Sequence, residues 1–356
     1  MVSMRTYCSW PSQNNSKVTV YEKFYGLSGP PFMLTPDTRF FFGSSNHQRA
    51  IAHLVYGLDQ REGFIVITGE VGAGKTLLVE QLWLQLNRDT YAVSKVVTTQ
   101  VSGDDLLRLI MDGFGLKVVP GTEKSVLLRR FENMVREQRA AGRRCVLVVD
   151  EVQNLSFAAL EELRMLSNIA IDGKASVQTI LLGQPQFRPI LASRDAEQLR
   201  QRVLASFHLG PLSEDETRLY IEHRLKTAGW TGHPAWEDAA FAAVYRHTGG
   251  TPRRVNTLCS RVLQFGALDE RAAIVEQMIN EVAEEMAEGL NGGTGAAPAA
   301  AETDSAPPSA RHPTPTGTSP EDIVRRIEAL EQASARQDRV FQRIVKLLTA
   351  AVEKDA

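Results

Sequence analysis

The sequence predicts an α/β fold in which a parallel sheet is covered by helices on both faces. Three observations predict it. A glycine-rich loop lies between an apolar strand and a helix, apolar strands alternate with helices, and residues 145–149 form the kind of β-branched run that makes a buried central strand. After residue 210 the pattern becomes wholly helical, so a helical unit follows the α/β core.

Composition and charge narrow the class of protein. The chain has 356 residues, enough for two or three domains, and its 43% of hydrophobic residues are typical of a soluble globular protein. The formal net charge of −2 excludes a global field that would draw the chain to nucleic acid or to an anionic membrane. Cys8, Cys145 and Cys259 have neither metal-ligand nor disulfide spacing, which is typical of a reducing cytosol.

The first residues carry no targeting pattern. No apolar run approaches the roughly 18 residues of a membrane span, and the N-terminus lacks the apolar core of a secretion signal. Residues 1–19 are polar and without period, so we expect a disordered tail. We expect a cytoplasmic protein that reaches the inner membrane only peripherally, through a partner.

The glycine-rich loop follows the apolar run at residues 64–67. Its residues are Gly69, Glu70, Val71, Gly72, Ala73, Gly74, Lys75 and Thr76. The glycines allow positive φ and close backbone approach, so successive N–H groups can curl around a polyphosphate at the positive end of the following helix. We expect Lys75 to reach the β- and γ-phosphates of ATP and the Thr76 hydroxyl to ligate Mg²⁺.

The segment ahead of this loop, residues 21–42, is dense in aromatic residues and prolines. It either walls an adenine pocket or packs as a capping segment on the edge of the domain, and the sequence leaves both interpretations open. Beyond the loop, a strand is predicted at residues 91–99 and a long helix at residues 122–141. The arginines of the long helix favour a solvated face over a nucleic-acid groove.

Two carboxylates, Asp150 and Glu151, end the buried strand that begins at Cys145. Asp150 is expected to hold Mg²⁺ through its water shell, and Glu151 is expected to polarise the attacking water. Two acids at a strand end can also mark a simple turn. Together with a phosphate-binding loop upstream they favour ATP hydrolysis.

Three further polar residues are candidates for sensing the γ-phosphate. Gln184 follows the predicted strand at residues 177–182 and either senses the γ-phosphate or caps the next turn. Arg200 and Arg202 follow a short helix, and one of them could reach the γ-phosphate of a neighbouring subunit as an arginine finger. The alternative interpretation of Arg200 and Arg202 is that each is an ordinary surface arginine.

The helical unit opens with a capping box formed by Ser213 and Glu216. Further helices are predicted at residues 234–247 and 275–287, and between them Thr251 and Pro252 suit the start of a helix. Arg253, on the first turn of that helix, is the arginine we expect to fold over the nucleotide. The whole unit would form a lid.

The amino-acid composition changes after residue 288. Residues 289–320 are rich in Gly, Ala, Pro, Ser and Thr and predict a disordered linker, while residues 321–353 predict an amphipathic or coiled-coil helix. That helix would self-associate or bind a partner helix. The expected divisions are therefore a tail at residues 1–19, a core at 20–210, a lid at 211–288, and these two C-terminal segments.

These motifs together resemble the AAA+ ATPases of the general secretion pathway protein A (ExeA-like) family. The resemblance covers about residues 20–288 and is carried by residues 21–27, 31–32, 69–76, 150–155, 183–185, 199–202 and 250–253. It implies an AAA+ core with a five-stranded parallel sheet in the order 5-1-4-3-2, a helical lid, and nucleotide-dependent assembly into homo-oligomeric rings such as hexamers. The subgroup associated with exosortase and exopolysaccharide loci is favoured, because no C-terminal peptidoglycan-binding domain is evident in the sequence.

Two functions follow as hypotheses. The first is an ATP-hydrolysing motor or switch that serves a protein partner in secretion, protein sorting or exopolysaccharide export. The second is a DNA-binding accessory ATPase of the transposition type. The residues that keep the second hypothesis open are Arg129, Arg130, Arg136, Arg139, Arg143 and Arg144.

Overall fold

The structure is a computed structural model that describes residues 20–85, 89–97, 103–171 and 173–291. The predicted tail at residues 1–19, almost all of the predicted linker and the whole predicted C-terminal helix lie outside these ranges. Among the helices that are described, none combines the length and the apolar character needed to cross a bilayer.

Five parallel strands form the central sheet. In chain order they are β1 (Phe64–Gly69), β2 (Tyr91–Val97), β3 (Arg144–Asp150), β4 (Val177–Gly183) and β5 (Val203–Leu209). The spatial order is β2-β3-β4-β1-β5, which confirms the predicted order 5-1-4-3-2. The inner strands β1, β3 and β4 are buried almost throughout, as the continuous apolar runs predict.

β5 is the strand that the sequence pattern did not predict. It lies at the edge of the sheet and pairs with β1, and its burial alternates along the strand. Leu209 is buried, whereas Leu204 is exposed. The strand therefore lacks the continuous apolar run that identifies an inner parallel strand.

Within the described residues, eight α-helices precede the strands or lie between them along the chain. They are α1 (Val20–Tyr25), α2 (Ser45–Gln60), α3 (Lys75–Gln85), α4 (Gly103–Gly113), α5 (Lys124–Ala140), α6 (Phe157–Ser167), α7 (Phe187–Ala192) and α8 (Glu197–Arg200). Alternate residues of the strands face opposite layers, as strand geometry requires. Val66 and Leu147 pack against α4, α5 and α6, whereas Ile67 and Val148 pack against α2 and α3. The predicted two-sided coverage is present.

Four described helices form the helical unit that the sequence predicts to be a lid, and we use the word lid for this unit: α9 (Glu214–Thr227), α10 (Asp238–Thr248), α11 (Pro252–Leu268) and α12 (Glu276–Asn291). α10 begins four residues later than the predicted residue 234, because Ala235–Trp236 pairs as a short strand with Ala273–Ile274. α11 begins as predicted, with Thr251 at the N-cap and Pro252 at the first helical position.

The N-terminal aromatic segment completes the core of the lid. Tyr21, Tyr25 and Phe32 are buried in one cluster with apolar residues of α9, α10, α11 and α12. This packing agrees with the capping-segment interpretation. A second contact comes from Arg224 of α9, which is 5% exposed and donates to the backbone carbonyl of Pro31 at 2.6 Å. The segment is thus fixed to the lid by both apolar and polar contacts.

Glu216 joins the lid to the α/β core. One of its carboxylate oxygens accepts from the backbone N–H of Ser213 at 3.2 Å, and the Ser213 hydroxyl accepts from the N–H of Glu216 at 3.2 Å. This is the predicted capping box of α9. The other oxygen accepts from the backbone N–H of Ser45, the first residue of α2, at 2.8 Å. A single carboxylate therefore satisfies donors at the start of a lid helix and of a core helix.

Candidate functional site

The glycine-rich loop connects the last residue of β1 to the first residue of α3, as predicted. Gly72 has a φ of 81° and Gly74 a φ of 97°, values that only glycine adopts without strain. The N–H of Ala73 donates to the carbonyl of Glu70 at 3.1 Å and closes the turn. The loop wraps the start of a helix, which is a ready site for a polyphosphate.

The Lys75 side chain lies inside this loop. It is 6% exposed, and its Nζ donates to the carbonyls of Gly69 at 2.7 Å and Glu70 at 3.0 Å. Burial lowers the pKa of the Lys75 ammonium, although the carboxylates of Glu151 and Asp150 act in the opposite direction. A buried cation held by carbonyls alone gains strongly from an anionic ligand, which a phosphate would supply.

Thr76 and Asp150 form one hydrogen-bonded pair across the end of the sheet. The Thr76 hydroxyl donates to Oδ2 of Asp150 at 2.6 Å, and Asp150 is 4% exposed. A hydroxyl and one carboxylate beside a phosphate-binding loop are the protein oxygens that suit Mg²⁺, which takes its other ligands from water and phosphate. In the part of the chain described, no group of three or more His, Cys, Asp or Glu residues offers an all-protein metal site. The residues present fit a metal that is bound together with a nucleotide.

Glu151 is placed by an unusual backbone conformation. Its φ of 58° and ψ of 39° are left-handed, and its N–H donates to Oδ1 of Asp150 at 2.9 Å. Strained conformations of this kind concentrate at functional sites, where the surroundings fix them. The conformation turns the Glu151 side chain toward the tip of β4.

Two side-chain amides hold the Glu151 carboxylate. Its Oε2 accepts from Nε2 of Gln153 at 2.6 Å and from Nε2 of Gln184 at 3.0 Å. Burial raises the pKa of Glu151, but these hydrogen bonds and the charge of Lys75 outweigh it, and the net pKa lies below its ordinary value. Glu151 is therefore a carboxylate at neutral pH, as a proton acceptor must be.

Gln184 lies where the sequence placed it, directly after β4. Besides its contact with Glu151, its backbone N–H donates to Oε1 of Gln153 at 2.9 Å. Sequence reasoning missed Gln153. The only signal was a polar residue three positions after Asp150, which has no meaning until the turn of residues 152–154 brings it to the tip of β4.

Arg253 is brought to the glycine-rich loop by the lid. Its backbone N–H donates to the carbonyl of Gly72 at 3.2 Å, and a Cβ placed on Gly72 would lie 2.1 Å from the Cβ of Arg253. The Arg253 side chain is exposed. It therefore lies beside the loop and can turn toward a bound phosphate.

The side chains of Arg200 and Arg202 donate to residues outside the loop. Arg200 is exposed and donates to the carbonyl of Ala192 at 3.0 Å, whereas Arg202 donates to the hydroxyl of Ser167 at 3.2 Å. The backbone carbonyl of Arg202 accepts from Phe64, the first residue of β1, while the loop follows the last residue of that strand. Arg202 thus lies toward the opposite end of the sheet, whereas Arg200 lines a pocket together with Val66, Thr68 and Phe187.

His47 is a second residue near the loop that sequence reasoning did not select. A Cβ placed on Gly74 would lie 2.9 Å from its Nε2, and its Nδ1 is 2.7 Å from the Ser44 hydroxyl. Burial lowers the pKa of His47, so the ring is held neutral against the loop. Its place in the first turn of α2 explains the contact.

Comparisons with known proteins find sequence relatives of this chain. Residues 58–191 match the family model described as AAA domain. General secretion pathway protein A of Aeromonas hydrophila is 37% identical over 244 residues, which cover 68% of this chain and 44% of that protein. The match thus spans less than half of the length of this relative. The chain is thus similar to an AAA domain over residues 58–191 and to part of general secretion pathway protein A.

Solved structures share the fold. The ADP form of the ORC2 protein of Aeropyrum pernix has a TM-score of 0.54 at 16% identity, and the match covers 71% of this chain and 70% of that chain. Cdc6p of Pyrobaculum aerophilum has a TM-score of 0.56 at 16% identity, with 70% and 71% covered. At such identities the likeness shows the fold alone, an α/β P-loop fold of the AAA+ type.

Proposed function

We propose that this chain, which has the AAA+ P-loop fold, binds Mg·ATP and hydrolyses it as an oligomeric motor or switch. The observation that carries the proposal is the 2.6 Å hydrogen bond between Thr76 and Asp150, with the Glu151 carboxylate next in sequence and held by two amides. These groups supply a magnesium site and a proton acceptor at one end of the sheet, next to a loop that suits polyphosphate.

Each residue then has a role in hydrolysis. Lys75 exchanges its two carbonyl partners for the β- and γ-phosphates, and the backbone of Gly72, Ala73 and Gly74 surrounds them. Thr76 and Asp150 would hold Mg²⁺, which neutralises charge on the phosphates. Glu151 accepts a proton from the attacking water, and Gln184 orients that water near the γ-phosphate.

Arginines supply the remaining positive charge. Arg253 turns from the lid toward the γ-phosphate of its own subunit. Arg202 lies toward the far end of the sheet and Arg200 is exposed, so we propose that one of them serves the site of a neighbouring copy as an arginine finger. An arginine finger is worth on the order of 10³ to 10⁵ in rate. We therefore propose a homo-oligomeric ring, of hexameric size, in which each active site is completed by the next subunit.

The pathway is proposed from similarity. General secretion pathway protein A is named for secretion, and the match with it spans 244 residues. We propose a role beside a protein partner in secretion, protein sorting or exopolysaccharide export, with the exosortase-associated subgroup as the specific assignment. The partner would bind through the predicted C-terminal helix, on the cytoplasmic side of the inner membrane.

The arginines that kept DNA binding open are partly engaged in the fold. Arg130 donates to the carbonyl of Lys117 at 3.0 Å, Arg139 to that of Ile171, and Arg144 to that of Leu58 at 3.5 Å. These contacts leave fewer of the six for phosphates along a duplex. The DNA-binding hypothesis is the less favoured one.

The experiment is a measurement of ATP hydrolysis by the full chain over a series of protein concentrations, with and without double-stranded DNA. A specific activity that rises with protein concentration and ignores DNA supports a self-assembling ATPase with an arginine finger in trans. Absence of hydrolysis at every concentration overturns the proposed activity. Strong stimulation by DNA favours the transposition-type function instead.

A further inference from the structure

We propose that Gln153 is a positioning residue for hydrolysis, which holds the Glu151 carboxylate and the Gln184 backbone in one fixed arrangement. The proposal rests on the ATPase function proposed above. It assigns a role to a residue outside the glycine-rich loop, the two strand-end carboxylates and the arginines.

The three residues form a closed hydrogen-bonded circuit. Nε2 of Gln153 donates to Oε2 of Glu151 at 2.6 Å, and Oε1 of Gln153 accepts from the backbone N–H of Gln184 at 2.9 Å. Nε2 of Gln184 completes the circuit to the same Oε2 of Glu151 at 3.0 Å. Each residue is thereby bonded to the other two.

Gln153 is the member that uses both ends of its amide. Only a side chain with a donor and an acceptor on one rigid plane can bridge a carboxylate and a backbone N–H in this way. Loss of the Gln153 side chain removes two of the three hydrogen bonds of the circuit, and the bond from the Gln184 amide to Glu151 is the one that stays. The backbone N–H of Gln184 also loses its acceptor.

Close packing fixes the turn that carries Gln153 against the tip of β4. A Cβ placed on Gly183 would lie 2.8 Å from Cγ2 of Val152 and 3.5 Å from Oε1 of Gln153. Val152 is fully buried. The turn and the strand tip are in close contact. The backbone of Gln153 is therefore fixed relative to β4, and so is the amide that binds Glu151.

The consequence concerns the water that attacks ATP. A proton acceptor must lie within hydrogen-bond reach of that water, and small displacements of such a group cost large factors in rate. Glu151 has a left-handed backbone, and its carboxylate is held by two amides. Gln153 therefore contributes to the rate of hydrolysis and not to the affinity for ATP.

Two substitutions separate the contacts. Gln153→Met keeps the length of the side chain and removes both hydrogen bonds. Gln153→Glu keeps an oxygen for the Gln184 N–H, removes the donor to Glu151, and places a second carboxylate beside it. Gln186→Met is the matched control, because Gln186 is exposed and makes no side-chain cap contact at the start of α7.

For the full chain, we expect Gln153→Met to lower kcat by about tenfold and to leave the Kd for ATP within about twofold. We expect Gln153→Glu to lower kcat further and Gln186→Met to leave it unchanged. The double variant Gln153→Met/Gln184→Met should have a kcat little lower than that of the more impaired single variant, because the two residues act as a unit. An unchanged kcat in Gln153→Met, losses that multiply in the double variant, or a parallel loss of ATP affinity would each overturn the proposal.

A second readout does not depend on hydrolysis. The Gln184 backbone N–H should exchange with solvent about tenfold or more faster in Gln153→Met, and it should stay protected in Gln153→Glu, as seen by NMR. If the Gln184 N–H is equally protected from exchange in both variants and in the unaltered chain, the proposed hydrogen-bonded circuit is wrong. If the unaltered chain fails to hydrolyse ATP, the proposed function fails, while this measurement still decides the arrangement around Gln153. If Gln153→Met does not fold, the kcat of Gln153→Glu is compared with that of the unaltered chain. An unchanged kcat would then overturn the proposal.

Discussion

The carboxylate of Glu216 accepts a 2.8 Å hydrogen bond from the backbone N–H of Ser45, which joins the first turn of a lid helix to the first residue of a core helix. Burial raises the pKa of Glu216, but the hydrogen bonds from Ser45 and Ser213 outweigh it and bring the net pKa below the ordinary value. The ionised form is therefore the one that the folded protein prefers.

This preference predicts a pH-dependent stability. A carboxyl group whose pKa is lowered by folding stabilises the protein above its unfolded pKa of about 4.3, and this contribution is lost as pH falls through the folded pKa. The stability difference between the unaltered chain and Glu216→Gln should be full above about pH 5 and shrink in more acidic solution. Urea unfolding at a series of pH values measures it, with Glu214→Gln, exposed in the same helical turn, as the control. A difference that does not change with pH would contradict this prediction.

Gly72→Ala should loosen the contact between the lid and the loop. The new Cβ would lie 2.1 Å from the Cβ of Arg253, so α11 or the loop must move. Gly121 is a matched control, because its φ of 82° is close to the 81° of Gly72 and no heavy atom lies within 4 Å of a Cβ there. Both substitutions incur a backbone strain of about 1–2 kcal/mol. Only Gly72→Ala should also lower ATP affinity and speed amide exchange in the first turn of α11; equal behaviour of the two variants would argue against a tight contact.

Lys75→Ala should abolish ATP binding without lowering the melting temperature. Burial already lowers the pKa of this ammonium, so its removal relieves a desolvation cost that offsets the loss of its hydrogen bonds to the carbonyls of Gly69 and Glu70. Titration calorimetry with ATP and a thermal melt measure the two effects. Lys95→Ala, which removes a partly exposed lysine paired with Glu80, should bind ATP normally. Retained ATP binding in Lys75→Ala would count against the assigned phosphate contact.

Glu151→Gln should retain ATP binding and lose about 10²-fold or more of the hydrolysis rate, since an amide cannot accept the proton of the attacking water. Single-turnover hydrolysis together with a direct binding measurement separates these effects. Glu161→Gln, at an exposed carboxylate paired with Arg164, is the control. Normal turnover by Glu151→Gln would show that another group accepts the proton.

Arg224→Met should destabilise the lid more than Arg218→Met on the same helix. Arg224 is 5% exposed, and its substitution leaves the carbonyls of Pro31 and Met33 without this donor. An unsatisfied buried acceptor costs about 1–3 kcal/mol, whereas each of the exposed ion pairs of Arg218, with Glu222 and with Asp238, is worth about 0–1 kcal/mol. Denaturant unfolding of both variants measures the difference. Equal losses would mean that the buried guanidinium contributes no more than a surface one.

Sequence reasoning predicted the inner sheet and the loop well because local chemistry determines them. Glycines at positions of positive φ, the apolar run of β3 and the capping box at Ser213 are each complete within a few residues. β5 was missed because an edge strand needs apolar residues on one face only. Gln153 was missed because its partners are set by the tertiary approach of one turn to the tip of β4. The roles of all the candidate site residues stay predictions, namely those of the glycine-rich loop with Lys75 and Thr76, of Asp150, Glu151 and Gln184, and of Arg200, Arg202 and Arg253.

The packing of α1 in the lid bears on how the protein is made. The hydroxyl of Tyr25 donates to the backbone carbonyl of Arg271 at 3.2 Å, across 246 positions of the chain. Contacts between such distant residues form slowly, because a long loop must close before they stabilise anything. On the ribosome, α1 emerges first and its partners in α11 and α12 emerge long afterwards. The α/β core can therefore fold during synthesis, whereas the lid acquires its complete core only after translation has passed residue 271, and until then its apolar helix faces are open to chaperones and to aggregation.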